Sequence, residues 1–180
     1  GLSGIYMAST PVDIFIHDTY FIVAHFHYVV AGIIFGMFAA LYYWFPKIFG
    51  RLMNEKLGKL HFALTYLFFN CAFFPMHILG VAGHMRRIYN PLQYEFLRAV
   101  QDWNVFITQS ALCLFLAQLV FVFNFVWSLL KGRKATQNPW KANTLEWSTH
   151  SPPGHGNFEV QPIVYRGPYE YSSPLVKEDW

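Results

Sequence analysis

Three long runs of apolar residues interrupt the chain, and none of them contains Lys, Arg, Asp or Glu. They cover residues 19–45, 61–83 and 103–130. Each run reaches the roughly 20 residues that a helix needs to cross a bilayer. Apolar residues occupy nearly every helical face, which argues against surface amphipathic helices, and hydrocarbon admits only helices or closed barrels. The pattern therefore predicts an all-α membrane protein with three transmembrane helices.

The polar segments that flank these runs differ in charge, which orients the predicted helices. Basic residues concentrate in the loop 46–60 and at the start of the tail 131–180: Lys47, Arg51, Lys56, Lys59, Lys131, Arg133, Lys134 and Lys141. Short loops rich in Lys and Arg stay on the inner side of a membrane. We therefore expect the loop 46–60 and an extended tail inside. The segments 1–18 and 84–102 are expected outside. The arginines of the segment 84–102 are an exception to this charge rule.

Composition supports the membrane interpretation and excludes other classes. Charged residues make up 13% of the chain, against roughly 25% in a soluble domain. The net charge of +3 comes without a dense basic stripe, so nucleic acid is not an expected partner. Cys71 and Cys113 lie in apolar runs and indicate small buried side chains rather than a disulfide framework. The chain begins without Met and without the basic region of a signal peptide, so we expect a fragment or a processed product.

The most unusual polar feature is a pair of histidines, His25 and His27, within the apolar stretch AHFHYVV. On a helix, such positions point about 200° apart and are separated by only about 3 Å along the axis. The two side chains cannot ligate one metal ion, as a pair four residues apart could. Ligands on opposite faces at one depth indicate two cofactors side by side, with Phe26 between the ligands in sequence. One axial histidine suffices to anchor a haem.

Other interpretations of this pair stay open on the residues alone. The histidines could hydrogen-bond to neighbouring helices in a haem-free structural or assembly subunit with three spans. A transporter with an intramembrane histidine relay is a further class, but it predicts acidic partners that the three runs lack. Five further histidines are weaker signals and indicate structural roles: His61, His77, His84, His150 and His155. Of these, His77 is the one expected to be nearest to a function.

Two polar pairs stand on the predicted outer side. His17 and Asp18 directly precede the first run, and histidine with a carboxylate suits Mg²⁺ or Mn²⁺. On spacing alone, ordinary helix capping by Asp18 is the favoured interpretation. Arg86 and Arg87 follow the second run, and adjacent arginines can clamp carboxylates such as haem propionates. A solvated pair, or one in contact with lipid headgroups, is at least an equal alternative.

The stretch HDTYFIVAHFHYVV resembles the haem-copper oxidase superfamily, namely the C-terminal part of subunit I of cytochrome c oxidase. The resemblance continues through YWFPKIFG, NCAFFPMHILGVAGHMRRIYNP and NTLEWSTHSPPGHGNFE, from about residue 1 to residue 159. An HxH alone is weak, whereas HDTY–x4–HFH followed by FFP–x–H–x–LG–x–x–G–x–x–RR is specific. The chain departs from the pattern at HM before the arginines, where mitochondrial relatives are expected to have MP.

The resemblance implies haem ligation by the histidine pair. His25 would be the axial ligand of the high-spin haem and His27 an axial ligand of the low-spin haem, with Phe26 between the two haems. The three helices would be the last three of twelve. The second low-spin ligand, the copper ligands and the active-site tyrosine would then lie in earlier spans, so this chain alone is not expected to be active.

The resemblance also implies roles for the outer pairs. His17 and Asp18 match Mg²⁺ ligands, which replaces the capping interpretation. Arg86 and Arg87 match the pair that holds haem propionates, which would explain positive charge on the outer side. More loosely, Asp13 matches a carboxylate near those propionates.

The implied function is that of a proton-pumping terminal oxidase that reduces O₂ to water with electrons from cytochrome c. Its cofactors would be two haems, expected to be haem A, with Mg²⁺ and a copper held by the rest of subunit I. Expected partners are that remainder, on the same or a separate chain, subunits II and III, cytochrome c and the lipid bilayer of a bacterial plasma membrane or mitochondrial inner membrane. A quinol oxidase is the rival within the family, and the HD before TYF disfavours it. A nitric oxide reductase is disfavoured by the FFP…RR stretch and the LEW–SPP tail.

Overall fold

The computed structural model describes residues 1–165, 167 and 170. Its helices are α1 Leu2–Ala8, α2 Thr10–Ile16, α3 Tyr20–Phe49, α4 Glu55–Val81, α5 Glu95–Arg98 and α6 Gln101–Lys131, with 3₁₀ turns at Pro91–Gln93 and Leu145–Trp147. Within that part of the chain, α3, α4 and α6 are the three helices long and apolar enough to cross a membrane. This confirms the all-α membrane fold with three long helices. Residues 166, 168–169 and 171–180 of the predicted tail lie outside the described residues.

The long helices extend past the apolar runs into the predicted inner loop. The first of them continues to Phe49 and ends before Gly50, whose φ of 64° is the left-handed conformation common after helices. The second begins at Glu55, because the Asn54 carboxamide oxygen accepts a hydrogen bond from the Leu57 amide at 3.1 Å and caps the first turn. The segment predicted as the loop 46–60 is therefore largely helical, while the membrane boundaries themselves stay predictions.

The chain divides into two compact units, which are described separately. Unit 1 comprises Gly1–Met37 and Lys59–Val122, and unit 2 comprises Phe38–Gly58 and Phe123–Trp180. Unit 1 contains the predicted haem ligands, the predicted outer segments and two short helices that the sequence analysis did not anticipate, α1 and α2.

Polar side chains connect the long helices of unit 1. The Tyr28 hydroxyl donates to the Asn70 carboxamide oxygen at 2.8 Å, which joins α3 to α4. His61 is almost fully buried, and its Nε2 bonds the Gln118 carboxamide oxygen of α6 at 3.2 Å. The Gln118 amide donates in turn to the Thr65 hydroxyl at 3.1 Å. Such bonds between helices stabilise membrane bundles because unpaired polar groups are costly in hydrocarbon.

The end of α4 lies very close to the backbone at the start of α3. A Cβ atom placed on Gly80 would stand 2.1 Å from the Phe21 amide nitrogen. No side chain fits at that distance, so glycine is what allows these two helices to meet. The approach brings the residues after α4 beside the residues before α3, where the predicted outer pairs lie.

Unit 2 is held by side chains that bond to backbone. Asn124 is fully buried, and its carboxamide pairs with both the amide and the carbonyl of Asn54, at 3.1 and 3.0 Å. The Arg51 guanidinium donates to the Gly132 carbonyl at 2.7 Å, at the end of α6. The Asn54 amide and the Gly132 carbonyl thereby gain partners that their own helices do not supply, whereas the Asn54 carbonyl also accepts from the Gly58 amide at 3.0 Å.

The tail of unit 2 packs against the C-terminal end of α3. The Trp147 indole is buried and donates to the Tyr43 hydroxyl at 2.9 Å, and the Trp140 indole donates to the Tyr43 carbonyl at 2.9 Å. The buried Lys47 ammonium donates to the carbonyls of Thr149 and His150 at 2.7 and 3.1 Å. The tail was predicted to be extended, and its described part up to residue 150 is anchored on a helix of its own chain.

Candidate functional site

His25 lies on α3 with its ring against the first short helix. Its Nδ1 and the Ser3 hydroxyl are 2.8 Å apart. A Cβ atom on Gly4 would stand 3.1 Å from the His25 Cε1 atom, so α1 approaches the ring edge closely. These contacts with α1 hold the imidazole in one orientation.

His27 lies on a different face of the same helix and contacts α4. Its Nδ1 is 2.8 Å from the Val23 carbonyl oxygen, one helical turn earlier. Since a carbonyl only accepts, Nδ1 carries the proton and Nε2 has the free lone pair. The ring stacks between Phe26 and Phe73, with ring centroids 4.4 and 4.2 Å away. This packing holds the imidazole plane in one orientation.

Both imidazoles have the form of axial ligands. Each uses Nδ1 for a hydrogen bond within the protein, as metal-ligating histidines commonly do with the nitrogen that does not bind the metal. Among the residues that the structure describes, no hydrogen bond occupies Nε2 of His25 or His27. The structure thus orients two imidazoles on one continuous helix and leaves one coordinating nitrogen on each of them open.

The segment before α3 pairs with the segment after α4. Thr19 and Met85 form an isolated antiparallel bridge, and the Arg86 amide donates to the Asp18 carbonyl at 3.0 Å. The Tyr20 amide donates to the His84 carbonyl at 2.9 Å. Three residues on each side therefore meet across a wide gap in sequence, and this pairing brings two predicted sites together.

Asp18 and Arg86 also meet through their side chains, as an ion pair between Oδ1 and Nη2. Asp18 does not cap α3. The Thr19 hydroxyl does, because it accepts a hydrogen bond from the Phe21 amide at 3.2 Å. Capping by Asp18, favoured on spacing alone, is therefore wrong.

His17 points to a different partner from its neighbour in sequence. Its Nδ1 lies 3.3 Å from the Asp13 Oδ2 atom, and 65% of the His17 side chain is exposed. Within the described part of the chain no group of three His, Cys, Asp or Glu side chains is placed to hold a metal ion. His17 and Asp18 would thus contribute at most part of a Mg²⁺ coordination sphere, and that assignment stays a prediction.

Arg86 has an unpaired donor. Its Nε atom is buried without a hydrogen-bond partner, a condition that only His77 Nε2 shares among the described residues. A buried unpaired donor costs about 1–3 kcal/mol, and more when the group is charged. A missing acceptor such as a carboxylate would remove that cost, because guanidinium and carboxylate pair well. Arg87 adopts φ 64°, an uncommon conformation for a residue other than glycine.

The sequence indicates only a structural role for His84, yet in the structure the His84 side chain is one of the most constrained of unit 1. It is 1% exposed, and its ring stacks on Tyr20 with centroids 4.0 Å apart. Its Nδ1 donates to the Met85 carbonyl at 3.0 Å, and its Nε2 accepts from the Asn104 amide at 3.2 Å. A lone histidine in a polar loop carries no sequence signal for such a position.

Burial lowers the pKa of His84 from its ordinary 6.5, although hydrogen bonds to backbone carbonyls oppose the change. At neutral pH the imidazole is neutral in both the folded and the unfolded chain. As the pH falls below about 6.5, the unfolded chain binds a proton that the folded chain resists, so stability falls with pH. We expect the melting temperature of the complex to drop between pH 7.5 and pH 5.5, and to drop less in His84→Gln. Equal declines in both proteins, measured by calorimetry, would contradict a contribution from His84.

Comparison with known proteins gives a consistent result. The family described as Cytochrome C and Quinol oxidase polypeptide I matches residues 1–116. Cytochrome c oxidase subunit 1 of Synechocystis sp. is 50% identical over 172 residues, which is 95% of this chain and 30% of the relative. Alternative cytochrome c oxidase subunit 1 of Bradyrhizobium diazoefficiens is 46% identical over 185 residues, which is 100% of this chain and 31% of the relative. The chain thus spans about a third of the length of these curated relatives.

Proposed function

Because this chain belongs to the Cytochrome C and Quinol oxidase polypeptide I family, we propose that it forms the C-terminal part of a haem-copper oxidase subunit I and ligates two haems. His27 is the axial ligand of a low-spin haem and His25 that of a high-spin haem. The observation that carries the proposal is the pair of oriented imidazoles on α3, each with Nδ1 bonded inside the protein. Neutral imidazole nitrogen is a common iron ligand.

The two ligands are held to different degrees. Val23 supplies a backbone carbonyl to His27, and the aromatic rings on both of its faces restrict rotation. Ser3 supplies a hydroxyl to His25, and this hydroxyl can donate or accept. A firmly held neutral imidazole suits a haem that only exchanges electrons. Phe26 stacks on His27 and is 42% exposed, so its ring is available to a cofactor on either side.

Arg86 and Arg87 serve as the propionate contacts. The buried, unpaired Nε of Arg86 supports this role, because no acceptor for that donor lies among the residues that the structure describes. Asp18 shares the guanidinium through Nη2. The positive charge lowers the cost of holding propionates and raises the potential of a nearby haem, since it favours the reduced state.

Asp18 and His17 serve as two ligands of a Mg²⁺ ion, with further ligands from elsewhere in the complex. Asp18 has 59% of its side chain exposed and His17 has 65%, so both can receive a ligand from another chain. Hydrated Mg²⁺ often takes only one or two carboxylates from a protein. The role of the ion is to fix the outer surface beside Arg86.

The complete enzyme would contain the rest of subunit I with its copper, the other oxidase subunits and a lipid bilayer. When bound, the haems, taken as haem A, supply electron transfer from cytochrome c and, with the copper, the four-electron reduction of O₂ to water coupled to proton movement. The residues of this chain would orient the haems, set their spacing and compensate the negative charge of their propionates. Quinol as the electron donor is the alternative within the family, whose description includes both types.

The test is an optical experiment on the native complex that contains this chain. We expect a reduced-minus-oxidised spectrum with two haems, of which one binds CO, and faster oxidation of reduced cytochrome c than of quinol. A complex without haem would leave the chain as a structural subunit. If two haems are present and only quinol is oxidised, the proposal of haem ligation stands and quinol replaces cytochrome c as the proposed electron donor.

A further inference from the structure

His84 is the residue that joins three helices at the outer end of unit 1. Its carbonyl accepts the Tyr20 amide at the start of α3, and its amide donates to the Leu79 carbonyl at 2.9 Å near the end of α4. Its Nε2 accepts from Asn104 on α6. Both backbone groups and both ring nitrogens of one buried residue are thus bonded, each to a different residue.

The Asn104 contact is directional. One amide proton goes to His84 Nε2, and the same nitrogen lies 3.1 Å from the Gln101 carboxamide oxygen, which only accepts. Asn104 must therefore present its nitrogen, not its oxygen, to the ring. This fixes His84 as the neutral tautomer with the proton on Nδ1, which is the tautomer that donates to the Met85 carbonyl.

Arg86 follows His84 by two residues in the same paired segment. Its amide donates a hydrogen bond to the Asp18 carbonyl, and its Nη2 atom pairs with the exposed Asp18 carboxylate. Its Nε atom is buried and unpaired among the described residues. No hydrogen bond between the Arg86 side chain and α4 or α6 is present in the described residues. The contacts that fix its position are therefore the two to Asp18 and, through the backbone, those of the segment 84–86.

We propose that His84 is a positioning residue for the Arg86 guanidinium and acts through its hydrogen bonds to Asn104 and Met85. The proposal deepens the proposed function and rests on it, since the guanidinium is taken to contact haem propionates. If the His84 ring lost its bond to Asn104, the segment 84–86 would shift and the positive charge would move. The haem whose propionates Arg86 contacts would then become harder to reduce.

The experiment is a spectroelectrochemical titration of both haems in the purified complex, read at the haem whose potential depends on Arg86. We expect Asn104→Leu, which leaves the Tyr20 stack and the Met85 bond in place, to lower the midpoint potential. His84→Gln should retain most of the native potential, because its carboxamide oxygen can accept from Asn104 where Nε2 did. Arg86→Gln should lower the potential further, and Asn104→Leu should add little in that background, which is the coupling expected for residues that act as one unit.

His61→Leu is the control, because it breaks a different hydrogen bond between a buried histidine and a carboxamide of α6. We expect it to reduce stability and to leave the potential unchanged. The proposal is overturned if Asn104→Leu shifts the potential no more than His61→Leu does, or if its shift adds fully to that of Arg86→Gln. If Arg86→Gln itself has no effect while both haems are present, the propionate role fails as well. If the complex contains no haem, the proposal that this chain ligates haem fails.

Discussion

We expect His27→Ala to remove the low-spin haem signal from the complex, and His25→Ala to remove the CO-binding, high-spin signal. Each change deletes the only nitrogen that this chain would offer to one iron. Loss of a hydrogen bond behind a ligand already costs roughly 10–100-fold in metal affinity, so loss of the ligand itself should cost at least about 100-fold. Reduced-minus-oxidised and CO-difference spectra of the purified variants measure both signals separately.

The selectivity of the two losses is what identifies the ligands. A matched control is His61→Ala, an intramembrane histidine whose Nε2 already bonds to Gln118, and it should retain both signals. A smaller effect is expected for Ser3→Ala, which removes only the hydroxyl beside His25 Nδ1. Unchanged spectra in both ligand variants would leave the pair as helix packing and would remove the basis for haem ligation by α3.

The second large effect is expected from Gly80→Ala. The added Cβ would lie 2.1 Å from the Phe21 nitrogen and 2.7 Å from its Cα atom, and both are backbone atoms that cannot rotate away. Overpacking typically costs about 1–3 kcal/mol when side chains can adjust. Here two helices must separate, so we expect a cost above about 3 kcal/mol and loss of the pairing between segments 18–20 and 84–86.

The measurement is the yield of assembled complex together with its melting temperature in detergent. Gly36→Ala is the control, since a Cβ atom at that helical position meets nothing within 4 Å in this chain. Replacing an exposed helical glycine by alanine is neutral or stabilising by up to about 1 kcal/mol. A Gly80→Ala complex with native yield and melting temperature would show that α3 and α4 do not approach as described.

The number and type of long helices could be predicted from the sequence because hydrocarbon leaves few alternatives for an uncharged run of this length. Their ends could not. Helix α4 starts six residues before the predicted run, because Asn54 provides a cap, and the polar residues that follow are good helix formers. An apolar count marks where a membrane can lie, whereas hydrogen bonds decide where a helix begins.

The candidate site, too, could be predicted from the sequence only in part. That His25 and His27 lie on different faces of one helix follows from helical periodicity, and the structure has them on the single helix α3. The pairing of Asp18 with Arg86 joins residues from different helix ends, and no local pattern encodes it. His84 was missed for a related reason, since its partners on α3 and α6 become neighbours only when the helices pack.

The anchoring of the tail on Lys47 has a consequence for the order in which these contacts form during synthesis. Lys47 finds its two carbonyl acceptors 102 and 103 residues further along the chain. A ribosome completes the first part of a protein long before the last, and compact units form as their residues emerge. During synthesis this ammonium must stay hydrated until the tail arrives, because a buried charge without partners is costly. Completing this part of unit 2 therefore requires the removal of water from Lys47 only after residues 149 and 150 have been synthesised.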